Sequence, residues 1–122
     1  SHISQDYTKQ LGKRSFSFSD PSRLTCYIND YGMEVAYQQF LKEFADKDSL
    51  VILISSSGNS ENIVNCAKYC IDCEIKMITL SGFSETNKLK KLTEESCLHF
   101  WVDSSDYGIV ECLHQVILHT VV

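Results

Sequence analysis

Leu50-Val51-Ile52-Leu53-Ile54 runs straight into Ser55-Ser56-Ser57-Gly58-Asn59-Ser60, after which Ile63, Cys66, Ala67, Cys70 and Ile71 recur at helical spacing. Consecutive apolar residues of this kind predict a short strand buried on both faces, as in a parallel sheet. A strand that enters a helix through such a turn brings backbone N–H groups, hydroxyls and the positive end of the helix dipole to one point. That point suits an anion, most often a phosphate. Capping by Asn59 or Ser60 accounts for one or two of these side chains and leaves the other serines without a role.

The rest of the chain alternates helix and strand signals. Ser1–Gln10 carries Ile3, Tyr7 and Leu11 at helical spacing ahead of Gly12, and Ser15–Phe18 alternates like a short strand. Asp20-Pro21 opens a helix that Tyr31-Gly32 interrupts, and Met33–Phe44 resumes it. Beyond the 50–54 strand come a helix over 59–73, a strand over 74–80, a short helix capped by Thr86 or Asn87, a strand over 97–102 and a last helix from about Asp106. This order predicts an α/β fold, a doubly wound parallel sheet with helices on both faces. Ligands of such sheets sit beyond the carboxyl ends of the strands, where Ser55–Ser60, Ser81-Gly82 and Asp103-Ser104-Ser105 all fall.

Composition narrows the partners. At 122 residues, 43% hydrophobic and 22% charged, the chain is an ordinary soluble globular domain. A net charge of −5 argues against a nucleic-acid surface. No apolar window approaches the ~18 residues of a membrane span, so no membrane partner is expected and the cytoplasm is the expected compartment. Cys66, Cys70 and Cys73 share a helix, but no second ligand pair stands at zinc-ribbon spacing. All six cysteines, with Cys26, Cys97 and Cys112, are expected to be small core hydrophobes. The last helix has no formal charge after Glu111 and must be covered within the fold or by another subunit, so an oligomer is expected.

Several segments resemble the sugar-isomerase (SIS) domain, and within it the sedoheptulose 7-phosphate isomerases, or phosphoheptose isomerases. Ile54-Ser55-Ser56-Ser57-Gly58-Asn59-Ser60-Glu61-Asn62 is similar to the group's I-S-x-S-G-N-S-x-N loop. Asn29-Asp30-Tyr31-Gly32 resembles its N-D-x-G segment, and Met77–Gly82 its V-I-T-L-T-G strand. His2 and Asp6 resemble an H-x-x-x-E helix with Asp for Glu. Glu111 to His119 is similar to Q-E-x-H-x-x-x-x-H with Glu for the first Gln.

The resemblance implies a flavodoxin-like SIS domain acting on a sugar phosphate, converting ketose to aldose through an enediol-like intermediate. Family members open with helices and a strand ending in G-N-G-G-S-A, and none of this precedes Ser1. Residues 1–122 are therefore expected to be a single SIS domain lacking its N-terminal helices and first strand, a fragment of a longer chain. By position, the resemblance assigns Ser55, Ser57 and Ser60 to the phosphate, and Asn29 and Asn59 to the sugar. It assigns acid/base roles to Asp6 and His119, and a Zn2+ site to His2, Asp6, Glu111 and His119. His114 competes with His119, while His99 on its strand is read as structural. The implied assembly is a homo-oligomer, a tetramer. The alternative is a non-catalytic SIS module that binds sugar phosphates or a protein partner.

Overall fold

The computed structural model describes residues 1–122. Three helices come first: α1 (His2–Leu11), α2 (Pro21–Tyr31) and α3 (Met33–Phe44). They are followed by β1 (Leu50–Ile54), α4 (Glu61–Asp72), β2 (Lys76–Ser81), α5 (Lys88–Thr93), β3 (Leu98–Trp101) and α6 (Tyr107–His119). The strands are parallel in the order β1-β2-β3, with Ile52 opposite Ile78 and Leu80 opposite Phe100. Both crossovers advance in one direction, so right-handed connections place α4 and α5 on the same face, where they touch. The fold is thus α/β, built on a three-stranded parallel sheet.

Local chemistry sets the boundaries. The Asp20 carboxylate accepts from the N–H groups of Ser22 and Arg23, and Pro21 opens α2 at the position where its missing N–H costs nothing. Gly32 separates α2 from α3 at φ 85°, a conformation that other residues rarely adopt. Between α4 and the strands, Val51, Leu53, Cys66, Ala67, Cys70, Ile75, Met77 and Leu89 form the core. Alternate residues of β1 face it, with Val51 and Leu53 buried.

Four expectations fail, each for a physical reason. The chain does not lack N-terminal helices, since α1, α2 and α3 all precede β1. Burial of β1 on both faces is not observed: Leu50 and Ile54 are 58% and 42% exposed on the side away from α4. Ser15–Phe18 is not a strand. Phe18 instead stacks on Phe40 at 4.3 Å and meets Tyr27 and Tyr37 edge-on, while Phe16 meets Phe40 and Phe44. Docking these rings on α2 and α3 replaces pairing in the sheet. Finally, Cys26, Cys73 and Cys112 are exposed rather than buried in the core.

One buried polar chain runs beneath the carboxyl ends of β2 and β3. The Asn87 amide donates to Ser81 Oγ at 3.0 Å, and Ser81 Oγ lies 3.1 Å from His99 Nε2. His99 Nδ1 lies 2.6 Å from Thr79 Oγ1, which lies 2.8 Å from Thr93 Oγ1. Thr93 donates to the Leu89 carbonyl at 2.7 Å. Every pair is satisfied by one direction of donation: Ser81 to Nε2, Nδ1–H to Thr79, Thr79 to Thr93. That direction requires a neutral imidazole with its hydrogen on Nδ1. Burial, with Lys90 nearby, holds the His99 pKa below the usual imidazole value, in keeping with the neutral form.

Two outcomes follow from the core. Burial pushes the Cys66 thiol up to about 12 and the Cys70 thiol up to about 11, so both stay protonated at pH 8. Mass spectrometry after brief iodoacetamide treatment of the native protein should find Cys26, Cys73 and Cys112 alkylated and Cys66 and Cys70 untouched. For His99, a folded pKa below the unfolded value makes its contribution full above about pH 6.5 and lost as pH falls through the folded value. Thermal melts should therefore lose stability on acidification below about pH 6.5, and His99→Gln should flatten that part of the profile. Parallel profiles for the two proteins would show that His99 does not titrate on unfolding.

Candidate functional site

The strand β1 delivers its chain to the turn through a backbone bond, Ser55 N–H to the Leu80 carbonyl at 3.0 Å. The Ser55 hydroxyl accepts from Gly58 N–H at 3.1 Å and lies 3.2 Å from the Ser60 hydroxyl. Ser57 Oγ accepts from Asn59 N–H at 3.2 Å. Ser60 is the N-cap of α4, but its side chain makes no capping bond. The N–H groups of Ser56, Ser57, Ser60, Glu61 and Asn62 have no acceptor within the chain. The turn thus leaves open donors at a helix N-terminus, the arrangement that receives an anion.

The start of α5 locks this turn from the side. Leu89 N–H donates to the Gly58 carbonyl at 2.8 Å, and Lys88 N–H donates to the Asn59 side-chain carbonyl at 3.0 Å. Gly58 takes φ 69°, and a Cβ there would lie 2.0 Å from Asn87 Oδ1, so a side chain is excluded twice over. Asn59 is therefore occupied in holding α5. Glu61 places a carboxylate in the first turn of α4, and Lys88 Nζ sits 3.7 Å from it, offsetting charge that would oppose an anion.

Beside the turn lies an open cleft of about 420 Å³, walled by Ile54, Ser56, Glu111, Cys112, His114 and Gln115. Its volume lies within the range of small-molecule sites. Val110 of α6 packs over Gly82 and His114 donates to the Ser81 carbonyl, which anchors this wall at the strand ends.

His2, Asp6 and His119 come together where α1 meets α6. Their ligand atoms lie within 4.8 Å of one another, with His2 Nε2 3.2 Å from Asp6 Oδ2. The Tyr7 hydroxyl donates to the Leu118 carbonyl at 2.8 Å and fixes the two helices together. The i, i+4 spacing of His2 and Asp6 puts both on one face, as the sequence indicates. Two imidazoles and a carboxylate that leave a coordination position open are a donor set suited to a catalytic divalent ion such as zinc. Glu111 does not join this group in the chain. It stands eight residues before His119, roughly 12 Å along the helix, and lines the cleft.

Asn29 lies on the last turn of α2, and its side chain donates to Asp30. The structure thus brings Ser55, Ser57, Ser60 and Asn59 into one turn and His2, Asp6 and His119 into one cluster, while the Asn29 side chain bonds to its neighbour Asp30. Sequence reasoning missed Ser56 and Gln115. The signal for Gln115 was available: Glu111, Gln115 and His119 stand four residues apart and make one stripe along α6.

Comparison with known proteins gives a consistent answer. No protein-family model matches the chain. It is similar to the phosphoheptose isomerase of Fusobacterium nucleatum, 27% identical over 126 residues that cover 99% of this chain and 63% of that protein. The phosphoheptose isomerase of Aliarcobacter butzleri is 33% identical over 103 residues, covering 84% of this chain and 52% of that one. The chain therefore spans between half and two thirds of the length of these relatives. Its fold superposes on a phosphoheptose isomerase from Neisseria gonorrhoeae with a TM-score of 0.84 at 20% identity, covering 98% of this chain and 66% of that one. The chain is thus similar in sequence, over most of its own length, to phosphoheptose isomerases, and it shares their fold.

Proposed function

We propose that this protein is a sugar-phosphate isomerase that interconverts a ketose phosphate and an aldose phosphate, with sedoheptulose 7-phosphate as substrate. The observation that carries this reading is the His2–Asp6–His119 cluster at the end of α6, the helix whose earlier turns wall a cleft beside the Ser55–Ser60 turn. Relatives named phosphoheptose isomerases support it. On this reading residues 1–122 act as a single SIS domain. The doubly wound arrangement implied by the family needs a further strand against the free edge of β1. The protein works as a homo-oligomer, a tetramer, in which the exposed Ile109, Leu113 and Val116 of α6 are covered. No helix is long and apolar enough to cross a membrane.

The turn holds the phosphate through its open N–H groups and the hydroxyls of Ser55, Ser57 and Ser60. Holding this remote group positions the carbonyl end for reaction. Asp6 and His119 then share the proton work. One removes the proton from the carbon next to the carbonyl, giving an enediolate. The other places a proton on the former carbonyl carbon, while the hydroxyl proton of the neighbouring carbon passes to the former carbonyl oxygen and leaves the new carbonyl on that neighbour. Asn29 contacts the sugar in this scheme, with Asn59 fixing the turn beneath it. His2, Asp6 and His119 would hold a divalent ion, and Glu111, two turns earlier on α6, is the fourth residue that the resemblance assigns to it. Such an ion, when bound, polarises the carbonyl and stabilises the enediolate.

A second reading is a non-catalytic module that binds sugar phosphates, and one departure favours it. Asp6 is one methylene shorter than the family's Glu, and a displacement of about 1 Å can cost about 10²-fold in rate.

Incubation with sedoheptulose 7-phosphate, followed by NMR of the products, separates the two readings. Aldose phosphate should accumulate, and Asp6→Asn or His119→Gln should lower kcat by about 10²-fold or more. Binding without turnover would assign the module instead, and absence of binding would remove both. Metal analysis should find a divalent ion that His2→Ala loses. Gly58→Ala should weaken inorganic phosphate binding by about tenfold or more and destabilise the fold by over ~1 kcal/mol, because the residue is strained at that φ. Unchanged phosphate affinity in this variant would place the anion elsewhere.

A further inference from the structure

His114 is 2% exposed, yet only one of its ring nitrogens has a partner. Nε2 lies 3.0 Å from the Ser81 carbonyl, which can only accept, so Nε2 carries the hydrogen. In the neutral ring Nδ1 is then a lone-pair acceptor, and it is buried with no donor in reach. Leaving such an atom unsatisfied costs about 1–3 kcal/mol. Folded proteins rarely retain an orphan of this kind without a purpose.

The ring's surroundings point to that purpose. With Nε2 turned to the sheet, Nδ1 is the ring's remaining polar edge, and the ring walls the cleft shared with Ser56, Glu111 and Gln115. None of those three side chains makes a hydrogen bond within the chain, so the cleft offers a hydroxyl, a carboxylate and an amide besides the imidazole acceptor. Ser56 sits between Ser55 and Ser57 of the anion-binding turn. A molecule anchored there by a phosphate can extend its other end along α6 past Glu111 and Gln115 toward His119.

We propose that His114 is a substrate-specificity residue: its Nδ1 accepts a hydrogen bond from a hydroxyl of the sugar chain, whose neighbouring hydroxyls are met by Gln115 and Glu111. The proposal rests on the reading that the turn holds the phosphate of a sugar phosphate. Its chemistry gives selectivity, because a buried group built to bond a hydroxyl discriminates against ligands that lack one. Bare phosphate fills the turn and leaves Nδ1 unpaired. A polyhydroxylated phosphate ester satisfies both.

The test uses calorimetric titration of the intact protein with sedoheptulose 7-phosphate and with inorganic phosphate, for wild type, His114→Gln and His114→Asn. A glutamine amide can reach the Ser81 carbonyl from the Nε2 position but offers nothing at Nδ1. Asparagine places an acceptor near Nδ1 and gives up the bond to Ser81. The expected result is an affinity for the sugar phosphate about tenfold lower in His114→Gln, with inorganic phosphate binding unchanged and His114→Asn nearer to wild type. In parallel, the Nδ1 resonance of His114 in 15N NMR of wild type should move on adding sugar phosphate and stay in place with inorganic phosphate. That readout needs no variant to fold. Equal sugar-phosphate affinity in wild type and His114→Gln, or an unmoved Nδ1 resonance in the saturated protein, overturns the role of His114 and leaves the isomerase reading intact. Wild type that binds phosphate but no sugar phosphate overturns that reading and this one with it.

Discussion

Ser81, at the end of β2, is the junction on which the anion-binding turn, the buried histidines and the α6 wall all depend. Its carbonyl accepts from Val102 N–H and from His114, and its hydroxyl bonds to Asn87 and His99. Asn87 in turn caps α5 through Lys90 N–H and lies against Gly58. One buried serine therefore ties together three elements that approach the strand ends from different directions. In a low-dielectric interior each of these polar groups would be costly if left alone, so the network closes as a unit or not at all.

This closure explains how an acidic chain can present a site for an anion. The net charge is −5, and a carboxylate stands in the first turn of α4. Field strength at the turn comes from backbone N–H groups and the α4 dipole, reinforced by Lys88 beside Glu61. These are fixed partial charges aimed at one point, and they act over a shorter range than the net charge does. Their alignment depends on the backbone being held, which the α5 contacts to Gly58 and Asn59 achieve.

Much of the site could be read from the chain because its determinants are local. The strand–turn–helix of 50–72 needs only neighbouring residues to form, and the left-handed Gly58 is part of that turn. His2 and Asp6 share a face because they are four residues apart on a helix. The rest was hidden because it rests on approach between distant segments. Nothing near Glu111 announces that it lines the cleft while His119 joins His2 and Asp6. Phe16 and Phe18 show the alternation of a strand, and only the aromatic surface of α2 and α3 decides otherwise.

The sequence by itself determined the order of helices and strands from Asp20 onward, the parallel sheet and the turn that offers its N–H groups to an anion. Each of these follows from hydrophobic period, capping residues and glycine, whose physics is confined to a few consecutive residues. Tertiary structure alone decided which face of the sheet is covered, which cysteines are buried and which histidine nitrogen is left without a partner. Those outcomes depend on contacts such as His114 with Ser81, 33 residues apart, and Tyr7 with Leu118, 111 apart. No local pattern encodes them, because burial and hydrogen-bond satisfaction are properties of the packed whole.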